Sequence, residues 1–327
     1  MPPRPVLLVT NELPGAAQQR LEALSEVEVR QFRGLSQAEL VDKAADADGL
    51  VCLLLDAVGA DVARAGGGGR LKVVSTVSVG HDHVDKAALG AHGIRLGYTP
   101  DVLTDATADT TVLLALMAAR RAKAGLEAVS GGTWGRFSLG GGGLLGTQFT
   151  GKTLGIVGLG RIGLATAQRL APFGFARVLY SAPRAQPARA SLVGAQHVDF
   201  GRLLAESDVV CVCCPLSDET RGIFDRAAFA RMKPSAILVN TARGAIVNQD
   251  DLLEALDGAR LAHAALDVTV PEPIPPTHPL VRHPRCTILP HIGSATVETR
   301  TAMANLAIDN ALAGIFGRPM PAEVGPL

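Results

Sequence analysis

The sequence predicts an α/β protein of two doubly wound parallel-sheet domains, and three observations predict it. Short apolar runs alternate with amphipathic stretches of helical length along almost the whole chain, the pattern of parallel strands covered by helices. A glycine-rich stretch, Gly131 to Gly146, interrupts every periodicity and divides that alternation into two sets. The length, 327 residues, corresponds to two domains at about 150 residues each. That is enough chain to bury a core without disulfides or metals.

In the first set, Val6 to Thr10, Val27 to Phe32, Leu50 to Leu55 and Lys72 to Val77 read as strands, with helices over Pro14 to Leu24 and Ser36 to Ala45. Asp105 to Ala124 follows as one long helix rich in Ala and Leu, with Asp105 as its N-cap. Gly131 to Gly146 is a loop. In the second set, Thr153 to Gly158, Arg177 to Ser181, Asp208 to Cys213, Ala236 to Asn240, Ala262 to Asp267 and Thr287 to Leu289 read as strands. The last helix, Thr296 to Ala313, resembles nothing in the second set and is a candidate to return to the first domain. No fixed-period repeat is evident, which argues against a solenoid.

Charge and composition exclude several classes of function. The 31 basic and 31 acidic residues balance, so no single-sign field recruits nucleic acid or an anionic membrane. Aromatic residues are too few for a single-strand stacking platform. No apolar stretch reaches a membrane span, and the N-terminus runs straight into a strand without the features of a secretory signal. Five cysteines, three of them crowded at Cys211, Cys213 and Cys214, read as reduced, buried thiols of a cytoplasmic protein.

The first chemical signal is Gly158-Leu159-Gly160-Arg161-Ile162-Gly163. A chain with 36 glycines produces such spacing by chance, but here a buried strand precedes it and a helix follows. The first glycine permits a tight turn, the second lets the backbone approach a pyrophosphate, and the third allows close helix–strand packing. The helix N-terminus adds partial positive charge. About 20 residues on, where an NAD enzyme places a carboxylate for the ribose 2′-hydroxyl, the chain has Ser181, Ala182, Pro183 and Arg184. Nothing there repels a 2′-phosphate and a guanidinium can pair with one, so NADP(H) is the expected cofactor, with NAD(H) possible.

Ligands of doubly wound sheets sit beyond the carboxyl ends of the strands, and three ionisable residues follow strands at such ends: Arg243, Glu272 and His291. Together they suit reduction of a keto acid. Arg243 can bind the substrate carboxylate and keto oxygen by forked hydrogen bonds. His291 can donate a proton to that oxygen, and Glu272 can orient the imidazole and favour its charged form. Each has an ordinary reading on its own: a helix-end charge, a surface charge in a Pro-rich loop, a satisfied buried histidine. Their joint occurrence beyond a dinucleotide turn favours the chemical reading.

The segments VSTVSVGHDHVD, GYTPDVLTDATAD, GIVGLGRIG, VNTARGAIVNQDDL, ALDVTVPEP, LPHIGSAT and RPMPAE make the resemblance plain. From about Val73 to near the C-terminus the chain resembles the D-2-hydroxyacid dehydrogenase family, closest to its glyoxylate reductase/hydroxypyruvate reductases. The resemblance implies a Rossmann cofactor domain, residues 105–291, inserted into a flavodoxin-like substrate domain made of residues 1–104 and 292–327. It implies catalysis by Arg243, Glu272 and His291, with the substrate carboxylate held by the backbone at Val79 and Gly80. It also implies cofactor contacts at Thr107, Pro215, Thr241, Asp267 and Gly293, beside Gly158, Gly160, Arg161, Ile162, Gly163, Ser181 and Arg184. Such proteins are usually homodimers. The expected activity is NADPH-preferring reduction of glyoxylate and hydroxypyruvate to glycolate and D-glycerate. Another 2-hydroxyacid or phosphonate dehydrogenase of the same fold, or a non-enzymatic dinucleotide-sensing regulator, are the alternatives.

Three positions depart from the pattern: Asp109 stands where Glu is usual, Leu55 where a polar residue often precedes Asp56, and Phe137 where relatives carry a second tryptophan after Trp134. Leu55 and Phe137 would make the pocket more apolar, Phe137 from a loop able to reach a partner's active site. No metal is expected. His81-Asp82-His83 lacks a third ligand nearby and matches a family segment that is not a metal site. Cys211, Cys213 and Cys214 lack a second cysteine pair for zinc, and Gly66 to Gly69 reads as a flexible connector.

Overall fold

Every residue of β1 (Val6–Val9) is buried, as are all four of β3 (Gly49–Cys52) and of β4 (Val73–Thr76). Strands covered on both faces need continuous apolar runs rather than alternation, and these three have them. Their positions come from a computed structural model, which describes residues 3–68, 70–135, 143–325 and 327. The chain divides into two compact units, Met1–Leu103 with Ala295–Leu327, and Thr104–Ser294.

In chain order the first unit has β1, α1 (Gly15–Glu22), β2 (Glu28–Gln31), α2 (Gln37–Ala44), β3, α3 (Ala60–Gly66), β4, α4 (Lys86–Ala91) and β5 (Arg95–Gly97). The five strands form one parallel sheet in the order β2-β1-β3-β4-β5, with Leu7 opposite Gly49 and Gly49 opposite Val73. A capping box starts α2: Ser36 accepts the Glu39 N–H while Glu39 accepts the Ser36 N–H.

The second unit has α5 (Thr104–Ala119), α6 (Ala122–Ser130), β6 (Thr153–Val157), α7 (Arg161–Leu170), β7 (Arg177–Ser181), α8 (Pro187–Ala190), β8 (Ala195–His197), α9 (Phe200–Glu206), β9 (Val209–Val212), α10 (Arg226–Arg231), β10 (Ile237–Asn240), α11 (Gln249–Asp257), β11 (His263–Leu266), α12 (Pro279–Arg282) and β12 (Cys286–Ile288). Its seven parallel strands run β12-β11-β10-β9-β6-β7-β8. The order reverses between β6 and β9, the switch point at which such sheets bind ligands. The protein is therefore an α/β molecule with a five-stranded and a seven-stranded parallel sheet.

The last helix, α13 (Val297–Ile315), packs on the five-stranded sheet. Its contact is close: a Cβ added at Gly314 would collide with the Val73 side chain, and one at Gly49 would lie 2.7 Å from Ile315. Among the described residues no helix is long and apolar enough to cross a membrane.

Several expected elements differ. The long helix is two, because Arg121 adopts the left-handed conformation (φ +51°) and the Ala119 carbonyl is taken by the Thr147 N–H. Asp105 is not its N-cap but lies in the first turn, where it accepts a hydrogen bond from Arg169 at 2.8 Å. Asp109, one turn on, accepts another from Arg169 at 2.6 Å, so the shorter side chain still reaches a partner. Gly66 is no connector: it closes α3 and is buried against Leu71. Phe137, with the rest of residues 136–142 in the glycine-rich loop, and Gly69 lie outside the described residues.

Candidate active site

The glycine turn joins β6 to α7. Gly158 has a φ of +93°, open to glycine and strained for other residues, and a Cβ there would lie 2.8 Å from the Cys214 main chain. At Gly163 a Cβ would collide with the Gly158 carbonyl oxygen, so the helix presses directly on the turn. Gly160 is the opposite case, since a Cβ there meets nothing within 4 Å. Gly160 has no side chain to cap α7, and the positive end of a helix suits an anion. Arg161 is exposed on its first turn and Ile162 half-buried. The turn thus fits a dinucleotide pyrophosphate, with two glycines giving close packing and one giving clearance.

The Gly158 N–H donates to the Ser181 carbonyl at 2.8 Å, tying the turn to the end of β7. No carboxylate stands on the loop that follows, and Arg184 is exposed on it. The unit holds this loop with its own groups. The buried Tyr180 hydroxyl accepts the Gln186 N–H at 2.8 Å, and His197 Nε2 lies 3.0 Å from the Ala182 carbonyl it donates to. A second guanidinium, Arg189 on α8, donates to the Leu159 carbonyl at 3.3 Å. Pro215 is exposed just past the end of β9.

Arg243 stands on the turn after β10, and Asn240 shapes that turn. Fully buried, Asn240 donates to the Arg243 carbonyl at 2.9 Å and accepts the Ala242 N–H at 3.0 Å. At Gly244 a Cβ would collide with the Thr269 carbonyl group. The Thr269 N–H donates to Glu272 Oε1 at 2.9 Å, and Glu272 Oε2 lies 2.7 Å from His291 Nδ1. Contacts therefore run unbroken from the Arg243 turn through Thr269 and Glu272 to His291.

Burial pushes the Glu272 carboxyl up, but hydrogen bonds from His291 and the Thr269 N–H, with the charges of His291 and Arg243, outweigh it and hold the group below its ordinary value. An ionised carboxylate only accepts, so Nδ1 of His291 carries the hydrogen between them and Nε2 is the nitrogen left for chemistry.

His291 has φ +54°, an uncommon conformation for a residue with a side chain. Asp267 imposes it. The His291 N–H donates to the Asp267 carbonyl at 2.9 Å, Ile292 N–H to Oδ1 at 2.8 Å and Gly293 N–H to Oδ2 at 2.7 Å. Burial raises the Asp267 carboxyl, and the Ile292 and Gly293 N–H groups with the His291 charge reverse only part of that rise. Beside them, a Cβ at Gly293 would lie 3.5 Å from Thr107. Thr111 donates to the Thr107 carbonyl at 2.8 Å, so the hydrogen in its 2.7 Å contact with Thr241 belongs to Thr241.

In the first unit, Val79 and Gly80 follow β4. Both are half-buried, and among the described residues their N–H groups meet no acceptor. Leu55 lies 69% exposed after β3. The cysteines are core: all five are free, and burial pushes the thiols of Cys213 and Cys286 up to about 12 and of Cys214 to about 11. No group of three or more metal-ligating side chains is arranged for a metal among the described residues. Sequence reasoning singled out Arg243, Glu272 and His291 by their charge at strand ends. It missed Asn240, Thr111 and Thr269, whose signal is weaker: a polar residue inside or just past an apolar run.

Comparison with known proteins places this arrangement in a class. Residues 112–293 match the NAD binding domain of the D-isomer specific 2-hydroxyacid dehydrogenases, and the fold is that of an NAD(P)-dependent oxidoreductase. The chain belongs to the D-isomer specific 2-hydroxyacid dehydrogenase family. It is 44% identical to the human glyoxylate reductase/hydroxypyruvate reductase, covering 98% of this chain and 99% of that enzyme. A crystal structure of a Thermus thermophilus protein superposes with a TM-score of 0.89 at 44% identity, over 98% and 99% of the two chains. The NADPH-dependent glyoxylate/hydroxypyruvate reductase of Sinorhizobium meliloti, solved with NADP and malonate, gives a TM-score of 0.86 at 29% identity over 99% and 97%.

Proposed function

We propose that this chain is an NADPH-preferring reductase of glyoxylate and hydroxypyruvate, forming glycolate and D-glycerate. The observation that carries the proposal is the Glu272–His291 pair, which leaves Nε2 of an oriented imidazole as the proton donor. The names of the human and Sinorhizobium meliloti relatives support the substrate class. Ser181 and Arg184, with no carboxylate on the loop that carries them, support the 2′-phosphate.

When bound, the reduced dinucleotide supplies a hydride to the keto carbon. His291 gives the proton from Nε2 to the keto oxygen and ends neutral. Glu272 stays ionised throughout, holding Nδ1–H and stabilising the charged imidazole before transfer. Arg243 pairs with the substrate carboxylate and keto oxygen by forked hydrogen bonds. Binding of the substrate carboxylate we assign also to the N–H groups of Val79 and Gly80. Cofactor contacts fall to Gly158, Gly160, Arg161, Ile162, Gly163, Ser181, Arg184 and Pro215, and near the nicotinamide to Thr107, Thr241, Asp267 and Gly293.

The test is NADPH and NADH oxidation with a panel of 2-keto acids. The expected result is a higher kcat/KM with NADPH, and glyoxylate and hydroxypyruvate as the best substrates. Preference for NADH would overturn the cofactor assignment. A bulkier apolar keto acid as best substrate would favour another dehydrogenase of the family, the reading that the exposed Leu55 supports.

We assign the chain to the cytoplasm, on its unpaired cysteines, and to a homodimer. Leu126, Val129, Trp134 and Leu145 are each more than 60% exposed, and these are the apolar side chains we assign to the dimer contact. Light scattering on the eluting protein should give twice the chain mass; a monomer at micromolar concentration would remove the assignment.

A further inference from the structure

The loop that carries Val79 and Gly80 is braced from beneath by a chain of side chains. Ser78 Oγ lies 2.6 Å from the Gly80 carbonyl, Thr76 Oγ1 lies 2.7 Å from Ser78 Oγ, and His83 Nε2 lies 3.0 Å from Thr76 Oγ1. Thr76 and Ser78 are buried, at 0% and 4% exposure, so water does not compete for these bonds.

Counting hydrogens orders the chain. A carbonyl only accepts, so the single hydroxyl hydrogen of Ser78 goes to Gly80. Thr76 must then donate to Ser78. With its hydrogen used, Thr76 can only accept from His83, whose Nε2 therefore carries a hydrogen. The order His83 to Thr76 to Ser78 to Gly80 gives each hydroxyl hydrogen an acceptor.

The bond from Ser78 to Gly80 closes a ring around the two peptides whose N–H groups find no acceptor among the described residues. The main chain leading into these peptides is already anchored, by Val77 N–H to the Cys52 carbonyl at 2.8 Å and Thr99 N–H to the Ser78 carbonyl at 2.9 Å. Gly80 itself is the freest residue of the segment. We propose that Ser78, Thr76 and His83 are positioning residues, a one-way hydrogen-bonded strap that holds the Val79 and Gly80 N–H groups in the geometry that grips the substrate carboxylate. The proposal rests on the assignment of those N–H groups to the carboxylate made above.

Losing one link removes about one hydrogen bond of positioning, roughly a five- to tenfold effect on binding. Ser78→Ala and Thr76→Val should each raise KM for glyoxylate by that factor, with kcat within twofold and KM for NADPH unchanged. Thr76→Ser, which keeps the hydroxyl, should restore the value, and His83→Gln should stay closer to the parent than His83→Phe. An unchanged KM for glyoxylate, or equal changes in kcat and in KM for NADPH, would overturn the strap.

Two measurements separate its failure from that of the proposed reaction. Nitrogen-15 shifts of His83 in the parent protein should show hydrogen on Nε2, and an Nδ1-only tautomer would overturn the ordering. Malonate, titrated against the Val79 and Gly80 amides, should bind five- to tenfold more weakly to Ser78→Ala even if no keto acid is reduced. Equal malonate binding would sink the proposal independently of turnover.

Discussion

His291 meets two demands at once, a particular nitrogen presented and an uncommon backbone conformation held. The second is supported by three N–H groups converging on Asp267, against about 1–3 kcal/mol of strain for such a conformation. The side chain then has one job in the proposed reaction, and His291→Ala should lower kcat by about 10²–10⁴. A kcat within a few-fold of the parent would remove His291 as the acid. Arg243→Ala should raise KM and lower kcat together, and an unchanged kcat/KM would take Arg243 out of the site. Both residues were legible as candidates because they occur together, with Glu272, past buried strands and beyond a dinucleotide turn, where one such residue alone has an ordinary structural reading. Asn240 was not, since its value lies in closing the Arg243 turn, and which carbonyl an amide will meet depends on the fold around it.

At the scale of elements, the junction of β6 with α7 separates packing from clearance. Gly163→Ala puts a methyl group against the Gly158 carbonyl and should destabilise the protein by about 1–3 kcal/mol. Gly160→Ala meets only open space, so Tm should hold while KM for NADPH rises. A thermal melt and a cofactor titration on each variant distinguish the two roles, and a fall in Tm for Gly160→Ala would contradict the assignment of that space. The turn was legible because strand, glycines and helix are contiguous. The break between α5 and α6 was not, because the Ala-rich run continues helical composition through Arg121 and only the docking of Thr147 on the Ala119 carbonyl ends it. The short β5 and β8 likewise lack an apolar run; neighbouring strands recruit them.

For the molecule as a whole, His263 links stability to pH. It is buried at 3% exposure against Thr287, and burial, then the charges of Arg121, Lys123, His283 and Arg285, push it down to about 4. Its folded value lies below the unfolded one of about 6.5, so its contribution is complete above pH 6.5 and is lost as pH falls towards 4. The loss amounts to about 3 kcal/mol. Denaturant midpoints should fall through that window, and His263→Gln should flatten the slope; an equally steep slope in the variant would assign it to the carboxylates. Two parallel sheets were legible from alternation alone, and the return of the last helix to the first unit from its unlikeness to the second set; strand order and the residues on which α13 seats depend on packing that no local pattern records.

The seat of α13 also has a consequence in time. Val73 waits for Gly314, and at about 5–20 residues per second synthesis takes roughly ten to fifty seconds to cover that separation. Throughout that interval one face of β3 and β4 lacks its helix, while the whole of the seven-stranded unit has already been made and can fold. The five-stranded sheet begins first and finishes last, so it is the part of the newborn chain with most to gain from a chaperone.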